Sequence, residues 1–381
     1  MECYFDNAAT TAVLPQVKEC MVKLLDEDFG NPSSQHAKGL TGADYVRNAC
    51  QAVAKTLKCQ EKEIVFTSGG TESNNLAIIG TALAHRRKGK HILTTGIEHA
   101  SVLATVEFLE KEGFEIEYLA VDEHGIVKLD DLRQKMREDT ILVSCMYVNN
   151  EIGAVEPIAQ ICEIVHEINA QTIIHTDAVQ AYGKMEVFPK KLGVDLLSIS
   201  SHKIHGPKGA GVLYVKEKTL LRPIIYGGGQ QHFMRSGTEN VPAIAGMGLA
   251  ASYMYDSLQE RMQGIAELKR YFIEQVKEIE GVYDNSGDAP HIASITFTGV
   301  RAAVLMRALS EKEIYVSAGS ACSSNKPQVS HVLKQIGLDE TRLESTLRFS
   351  FCETNTKEQI DYCMEVLRES LPLLRRYTRK K

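Results

Sequence analysis

Two kinds of hydrophobic spacing alternate along the first two thirds of the chain. Apolar positions at helical spacing form stripes such as Val17, Cys20, Met21, Leu24 and Leu25. Between such stretches lie short runs rich in Val, Ile, Leu and Thr, which favour strands. This alternation is typical of an α/β protein whose largely parallel sheet is covered by helices. Seven runs are predicted to be strands: 63–68, 91–95, 115–121, 141–148, 172–176, 195–200 and 211–215.

The pattern changes after about Ala250. A charged helical stretch (256–280), a strand-like run (293–299) and a helix (301–310) follow, and the last helix opens at Thr356 with Gln359 as a capping box. The sequence therefore predicts two domains. The large one spans 15–255, and a smaller α+β domain combines 1–14 with 256–381.

Length and composition fit a large soluble globular protein. The chain has 381 residues, which exceeds the roughly 250–300 residues at which a single core stops growing. Hydrophobic residues make up 44% and charged residues 24%, and no apolar run approaches the roughly 20 residues of a membrane span. The opening MECYFDNAATT lacks the basic and apolar regions of a secretory signal. We therefore expect a cytoplasmic protein without membrane association.

Charge and cysteine content exclude several other classes. A net charge of −6 argues against a general nucleic-acid surface. The basic tail at 374–381 is either a solvated chain end or a contact for an acidic protein or a tRNA. Nine cysteines without a CxxC pair give neither a disulfide framework nor a structural zinc motif. The histidines follow no metal-ligand spacing either, so the sequence predicts no metal site.

Lys203 is the first candidate for chemistry. It follows the apolar run 194–200 and precedes the glycine-rich stretch GPKGAG at 206–211. Burial at such a turn lowers an amine's pKa and suits it to Schiff-base formation. Asp177, in the upstream run, is the acid that a pyridoxal phosphate enzyme places against its pyridinium nitrogen. The alternatives are a solvated strand end for Lys203 and a helix cap or buried ion-pair partner for Asp177.

A phosphate site is predicted independently. The run 63–68 leads into Gly69, Gly70 and Thr71 and then into a helical segment, so backbone amides and a hydroxyl meet at a helix N-terminus. An ordinary N-capped helix after a strand is the alternative. Neither GxGxxG nor GxxxxGK[ST] occurs, so the nucleotide-binding fingerprints are missing.

Ten motifs, in order along nearly the whole chain, carry a family resemblance. Together they resemble the cysteine desulfurases of the nitrogen-fixation and iron-sulfur-cluster type, which are class V aminotransferase-like, fold-type I pyridoxal phosphate enzymes. The resemblance implies a mainly parallel seven-stranded sheet with a smaller domain. The motifs are FDNAATT (5–11), FGNPSS (29–34), FTSGGTESNNLAI (66–78), EHAS (98–101), VNNEIG (148–153), HTDAVQ (175–180), SSHKIHGPKG (200–209), RSGTEN (235–240), SAGSACSS (317–324) and RFS (348–350).

The resemblance implies a set of cofactor contacts. Lys203 is then the lysine that forms a Schiff base with pyridoxal 5'-phosphate, and Asp177 keeps the ring nitrogen protonated. His99 stacks on the ring and handles a thiol proton, while Gln180 binds the ring oxygen. The phosphate contacts are assigned to Gly70, Thr71, Ser200 and His202, with Thr238 reaching in from the other subunit of a homodimer.

The resemblance also implies the reaction. Asn150 and Arg348 bind the carboxylate of L-cysteine, Lys203 moves its α-proton, and the Cys322 thiolate attacks its sulfur. The products are L-alanine and a persulfide on Cys322. Without the family, Cys322 in its small-residue loop would count as a structural or incidental cysteine.

Departures from the family pattern are small, and other functions stay open. Ser201 stands where many relatives have Gly, and Tyr147 where others have His, but neither removes a proposed ligand. A selenocysteine lyase, an aminotransferase of the same fold and a non-enzymatic docking platform are the alternatives. The sulfur acceptor, an iron-sulfur scaffold or a protein of tRNA thiolation or thiamin synthesis, is not identified by the sequence.

Overall fold

A computed structural model describes residues 1–318 and 330–378. Within these residues, seven strands form one sheet in the order β2-β8-β7-β6-β5-β3-β4, and β8 runs opposite to the other six. All seven predicted strands are present, so the predicted α/β class is confirmed. The strands are β2 (Ile64–Thr67), β3 (His91–Thr95), β4 (Glu115–Leu119), β5 (Thr140–Ser144), β6 (Ile173–Asp177), β7 (Leu196–Ser200) and β8 (Gly211–Val215).

Helices account for most of the remaining regular secondary structure. One expectation about the first helix is wrong in part: Val17 and Leu24 are buried, but Leu25 is 68% exposed. Successive helical residues turn by about 100°, which carries Leu25 off the face that Leu24 buries. The helices are α1 (Pro15–Asp26), α2 (Ala37–Leu57), α3 (Gly70–His85), α4 (Ala100–Lys111), α5 (Leu129–Lys135), α6 (Ile158–Ile168), α7 (Pro189–Leu192), α8 (Val241–Asp256), α9 (Leu258–Val276), α10 (Ala302–Ser310), α11 (His331–Gln335), α12 (Glu340–Leu343) and α13 (Lys357–Thr378).

The predicted strand at 141–148 is too long. Its ladder ends at Ser144, and the following segment turns at Asn149, whose side-chain oxygen accepts hydrogen bonds from the Glu151 and Ile152 amides at 2.8 and 3.0 Å. A side chain that satisfies backbone donors in this way stabilises a turn in place of a longer strand.

The start of the chain pairs with its C-terminal part in a small separate sheet, where β1 (Cys3–Tyr4) runs parallel to β11 (Ile314–Tyr315). The C-terminal part also forms a four-stranded sheet in the order β12-β13-β10-β9. Phe5 packs with Phe272, Phe349 and Phe351 in one buried core, which explains why the N-terminal residues accompany the C-terminal part. The domain limits themselves stay a prediction. The remaining strands are β9 (Val282–Asp284), β10 (Ile292–Phe297), β12 (Ser317–Ala318) and β13 (Thr346–Ser350).

The predicted capping box of the last helix is confirmed. The amide of Gln359 donates to Thr356 Oγ1 at 3.3 Å, and the amide of Thr356 donates to Gln359 Oε1 at 3.1 Å. This reciprocal pair satisfies two amides at the start of α13. No helix among the described residues has the length and apolarity needed to cross a membrane.

Candidate active site

A cleft with a cavity volume of about 210 Å³ lies where β5, β6 and β7 end and α3 and α4 begin. Ligands of open α/β sheets bind at this carboxyl edge of parallel strands. Ten of the predicted site residues line the cleft: Gly70, Thr71, His99, Asn150, Asp177, Gln180, Ser200, His202, Lys203 and Arg348. Residues that the sequence analysis did not assign to the site complete the lining: Ala8, Ala9, Asn74, Ser101, Met146, Val148 and Val179.

Lys203 sits in the short 3₁₀ turn that follows β7, and its amine faces the start of the chain. The Lys203 Nζ donates to the carbonyl oxygens of Ala8 and Ala9, each at 2.6 Å. Gln180 Nε2 donates to the same Ala8 oxygen at 2.9 Å. The FDNAATT segment therefore holds Lys203 and Gln180 through main-chain groups. The FDNAATT motif indicated that this segment belongs to the site. The sequence could not show that the segment acts through its backbone carbonyl groups, because no side chain marks them.

Behind Lys203 lies a second lysine that the sequence analysis missed. Lys184 is 2% exposed, and its Nζ donates to the backbone oxygen of Lys203 at 2.8 Å. Burial, followed by the positive charge of Lys203, lowers the pKa of the Lys184 amine to about 7. This amine thus fixes the backbone of Lys203 at the cost of its own desolvation.

Asp177 is the last residue of β6, and both of its carboxylate oxygens accept hydrogen bonds. Its Oδ2 accepts from Asn74 Nδ2 at 2.7 Å, and its Oδ1 accepts from the amide of Val179 at 2.9 Å. Asn74 also donates to Ser101 Oγ at 2.9 Å. Two donors hold the carboxylate in one orientation, so a cationic ring nitrogen could meet it without rearrangement.

His99 caps the N-terminus of α4. Its Nδ1 accepts from the amide of Ser101 at 3.2 Å, which places the ring proton on Nε2 in the neutral tautomer. Burial is the main cause that lowers the His99 pKa. Burial and the nearby Lys203 lower the pKa of His202 to about 4, while His202 Nδ1 lies 3.2 Å from Thr10 Oγ1. His202 is therefore neutral at pH 7.

Arg348 comes from β13 and closes the cleft from the C-terminal side. It is 4% exposed; Nη1 donates to the Asn150 carbonyl at 2.7 Å and Nη2 to Asp6 Oδ1 at 2.8 Å. Its buried Nε has no hydrogen-bond partner within residues 1–318 and 330–378. The Arg348 side chain nevertheless lines the cleft, and a guanidinium is the group that best matches a planar carboxylate.

The N-terminus of α3 forms the other end of the cleft. Gly69 precedes the helix with φ at +151°, a backbone conformation that side chains disfavour. A Cβ atom on Gly70 would lie 2.9 Å from Val179 Cγ2, so the helix start leaves no room for one. The free amides and the dipole of this 16-residue helix favour a phosphate group there.

Two predicted site residues are missing from the lining of the cleft as far as the structure describes it. Thr238 is exposed and does not line the cleft of its own chain. Cys322 lies outside the described residues. The positions of both in the working site remain predictions.

Comparisons with known proteins agree on one family. The sequence profile of the class-V aminotransferase family matches residues 3–363. A cysteine desulfurase IscS of Dictyoglomus turgidum is 44% identical and covers 98% of this chain and 95% of its own. A solved NifS-like protein superposes with a TM-score of 0.93 at 37% identity, covering 98% of this chain and all of that one. The solved SspA in complex with cysteine has a TM-score of 0.81 at 35% identity, covering 93% and 100%.

The cofactor of these enzymes is pyridoxal 5'-phosphate, and the cleft fits it. An amine, an oriented carboxylate and a helix N-terminus line one space, as an aldehyde, a pyridinium nitrogen and a phosphate require. Family profile, relatives and site chemistry therefore coincide. The chain belongs to the cysteine desulfurases of the class-V aminotransferase family.

Proposed function

We propose that the protein converts L-cysteine to L-alanine and passes the sulfur through a Cys322 persulfide to an acceptor protein. The observation that carries this proposal is the arrangement of the cleft, where Lys203, Asp177 and Arg348 line one space. When bound there, pyridoxal phosphate withdraws electrons from the substrate's α-carbon. Asp177, held by Asn74 at 2.7 Å, then faces the ring nitrogen as a fixed negative charge.

Substrate binding is assigned to the Arg348 side of the cleft. Arg348 is anchored by Asp6 and by the Asn150 carbonyl, and its guanidinium would meet the carboxylate of cysteine where the residue lines the cleft. Asn150 lines the same wall and is the second proposed carboxylate contact. A held guanidinium loses little side-chain entropy on binding, so the contact supports both affinity and orientation.

Lys203 and His99 carry the proposed proton transfers. Lys203 accepts the α-proton of the substrate. His99, neutral because burial lowers its pKa, accepts the substrate thiol proton. The Cys322 thiolate attacks the substrate sulfur, the bond from Cβ to sulfur breaks, and the carbon fragment takes up protons to become alanine. One thiol and one cysteine give one persulfide and one alanine, so the step needs no external oxidant.

The acceptor and the assembly belong to the same proposal. The persulfide sulfur would pass to an iron-sulfur scaffold or a tRNA-thiolation protein. The proposed site is shared in a homodimer, with Thr238 of one subunit contacting the phosphate bound by the other. The exposure of Thr238 supports this assignment, because a residue that acts across an interface must lie on the surface of its own chain.

The test measures two products together. Purified protein is incubated with L-cysteine and a thiol reductant, and alanine and sulfide are quantified. A parallel assay replaces L-cysteine by L-selenocysteine and quantifies alanine. Equimolar alanine and sulfide are expected from cysteine. Cys322→Ala should retain the bound cofactor and lose both products, and Lys203→Ala should abolish turnover.

Each other result has a defined meaning. Normal alanine formation from cysteine by Cys322→Ala would refute the nucleophile assignment. Activity confined to selenocysteine would make the protein a selenocysteine lyase. Absence of alanine from both substrates, with cofactor bound and an acceptor protein supplied, would refute the proposed function.

A further inference from the structure

Three potential metal ligands meet outside the cleft. They are His205, from the turn after Lys203, and Cys352 and Glu353, which follow β13. Their ligand atoms all lie within 4.8 Å of one another, and none of the three residues lines the cleft. We propose that this cluster binds a divalent transition-metal ion, with Zn²⁺ as the best match.

His205 is presented as a metal ligand would be. Its Nδ1 lies 2.9 Å from the Ala12 carbonyl, which only an N–H can satisfy, so Nδ1 carries the proton and Nε2 keeps a lone pair in the neutral ring. Ligating histidines are usually oriented by such a second hydrogen bond. Nε2 lies 3.3 Å from Glu353 Oε2 and therefore faces the cluster.

The backbone at His205 is held in an unusual conformation. Its φ is +62°, which is uncommon for a residue other than glycine and costs conformational energy. The amide of His205 donates to Thr11 Oγ1 at 2.7 Å, and the Thr11 hydroxyl donates to the His202 carbonyl at 3.0 Å. These bonds maintain the conformation and aim the ring. Such strain is often found at binding sites.

The other two ligands are fixed by a turn at the end of β13. The amide of Cys352 donates to Asn355 Oδ1 at 2.9 Å, and Asn355 Nδ2 donates to the Tyr4 carbonyl at 3.1 Å. Cys352 is 3% exposed. Glu353 Oε1 pairs with Arg261 Nη1 at 3.5 Å, which leaves the buried Oε2 facing His205 Nε2 at 3.3 Å.

The ligand types point to zinc. An imidazole nitrogen, a thiolate and a carboxylate are its usual protein ligands, at about 2.0–2.3 Å. Two anionic ligands neutralise a divalent ion, which suits a largely dry place. Tetrahedral ligands at those bond lengths lie about 3.3–3.8 Å apart, so small side-chain rotations close the 4.8 Å cluster around one ion. Water is the natural fourth ligand.

Sequence spacing gave no sign of this site, because the ligands stand 147 positions apart along the chain, from 205 to 352. A metal there would link the turn that carries Lys203 to the segment that follows Arg348. The alternative to a metal ion is a proton on His205, which would leave an ion pair with Glu353 and a Cys352 thiol in contact with Thr354 Oγ1 at 3.1 Å.

The experiment measures zinc content in holoenzyme carrying Cys322→Ala, because the Cys322 thiol could bind zinc itself. The protein is stripped with a chelator, reloaded with Zn²⁺, freed of excess by gel filtration and analysed by mass spectrometry. About one zinc ion per chain is expected, with the same value for the control Cys50→Ser, whose half-buried thiol lies outside the cluster. Cys352→Ser and His205→Asn should each lose at least four fifths of the zinc that the parent protein retains.

A second readout protects against variants that fail to fold. Retained cofactor absorbance and circular dichroism identify folded variants, and Glu353→Gln preserves side-chain shape if the others unfold. In the Cys322→Ala parent, Co²⁺ should add a thiolate-to-metal absorption band that Cys50→Ser leaves in place. The proposal is overturned if the parent retains no zinc and shows no such band, or if folded Cys352→Ser and His205→Asn retain as much zinc as the parent.

Discussion

Replacing Lys184 by methionine should make the protein more stable at neutral pH and remove part of its pH dependence. The amine is fully buried and donates one described hydrogen bond, to the Lys203 carbonyl at 2.8 Å. Methionine has a similar length and carries no charge to desolvate. The substitution therefore removes a buried cation and leaves one carbonyl without its donor.

The size of the effect follows from the pKa. Folding lowers the Lys184 pKa from 10.5 to about 7, which corresponds to about 4–5 kcal/mol against the charged amine. The unfolded chain binds more protons than the folded one between these pKa values, so stability rises with pH in that window. Burying the Lys184 amine therefore lowers the free energy of unfolding by about 4 kcal/mol at pH 7 and by about 2 kcal/mol at pH 9. In Lys184→Met, the Lys203 carbonyl that loses its donor lowers it by about 1–3 kcal/mol at either pH.

The free energy of unfolding of Lys184→Met should therefore exceed that of the wild type by about 1–3 kcal/mol at pH 7. At pH 9 the two values should agree within about 1 kcal/mol. Urea unfolding at fixed protein and cofactor concentrations, followed by circular dichroism at both pH values, measures the difference. Lys111→Met, at an exposed position of α4, serves as the matched control. The reasoning is refuted if the wild type and Lys184→Met gain the same stability between pH 7 and 9.

Three further substitutions test other parts of the structure. Arg348→Lys should raise the KM for cysteine about 10- to 100-fold, because replacing the forked guanidinium by a point charge costs about 1.5–3 kcal/mol of substrate binding energy. Steady-state kinetics of alanine formation measure the KM, and an unchanged value would contradict the binding role. Asn74→Ala removes the 2.7 Å donor to Asp177 and should weaken cofactor binding about tenfold in an absorbance titration of apoprotein, whereas equal affinity would show that Asp177 orients itself. Phe272→Ala should cost about 3–5 kcal/mol of unfolding free energy, since its ring lies 4.6 Å from Phe349 and 5.6 Å from Phe351. A loss no larger than that of Phe108→Ala, at a 46% exposed ring, would show that the core adapts.

Hydrophobic pattern predicted the large sheet well because most of its strands are buried on both faces and therefore consist of nearly continuous apolar runs. The same rule overextended the strand at 141–148. Apolar residues that line a cleft, such as Met146 and Val148, have the composition of a strand although the ladder has already ended.

The site was predictable where side chains carry the chemistry and were arranged in recognisable motifs. Ala8 and Ala9 act through carbonyl oxygens, which no side chain marks. Asn74 was within reach of sequence reasoning, because it lies one helical turn after Gly70 and so shares its face. Lys184 and His205 could not be recognised, since their roles depend on burial and on contacts between distant segments.

The pairing of β1 with β11 constrains how the protein is made. Cys3 is synthesised long before its strand partner Ile314, and Phe5 long before Phe351, whose ring centroid lies 5.3 Å from its own. At roughly 5–20 residues per second, this amounts to about 15–70 s of translation. Throughout that interval the Ala8 and Ala9 carbonyls that hold Lys203 are present, but the C-terminal part of the site is not. The active site is therefore completed only after β13, which carries Arg348, has been synthesised, so a chain truncated before β13 cannot assemble it.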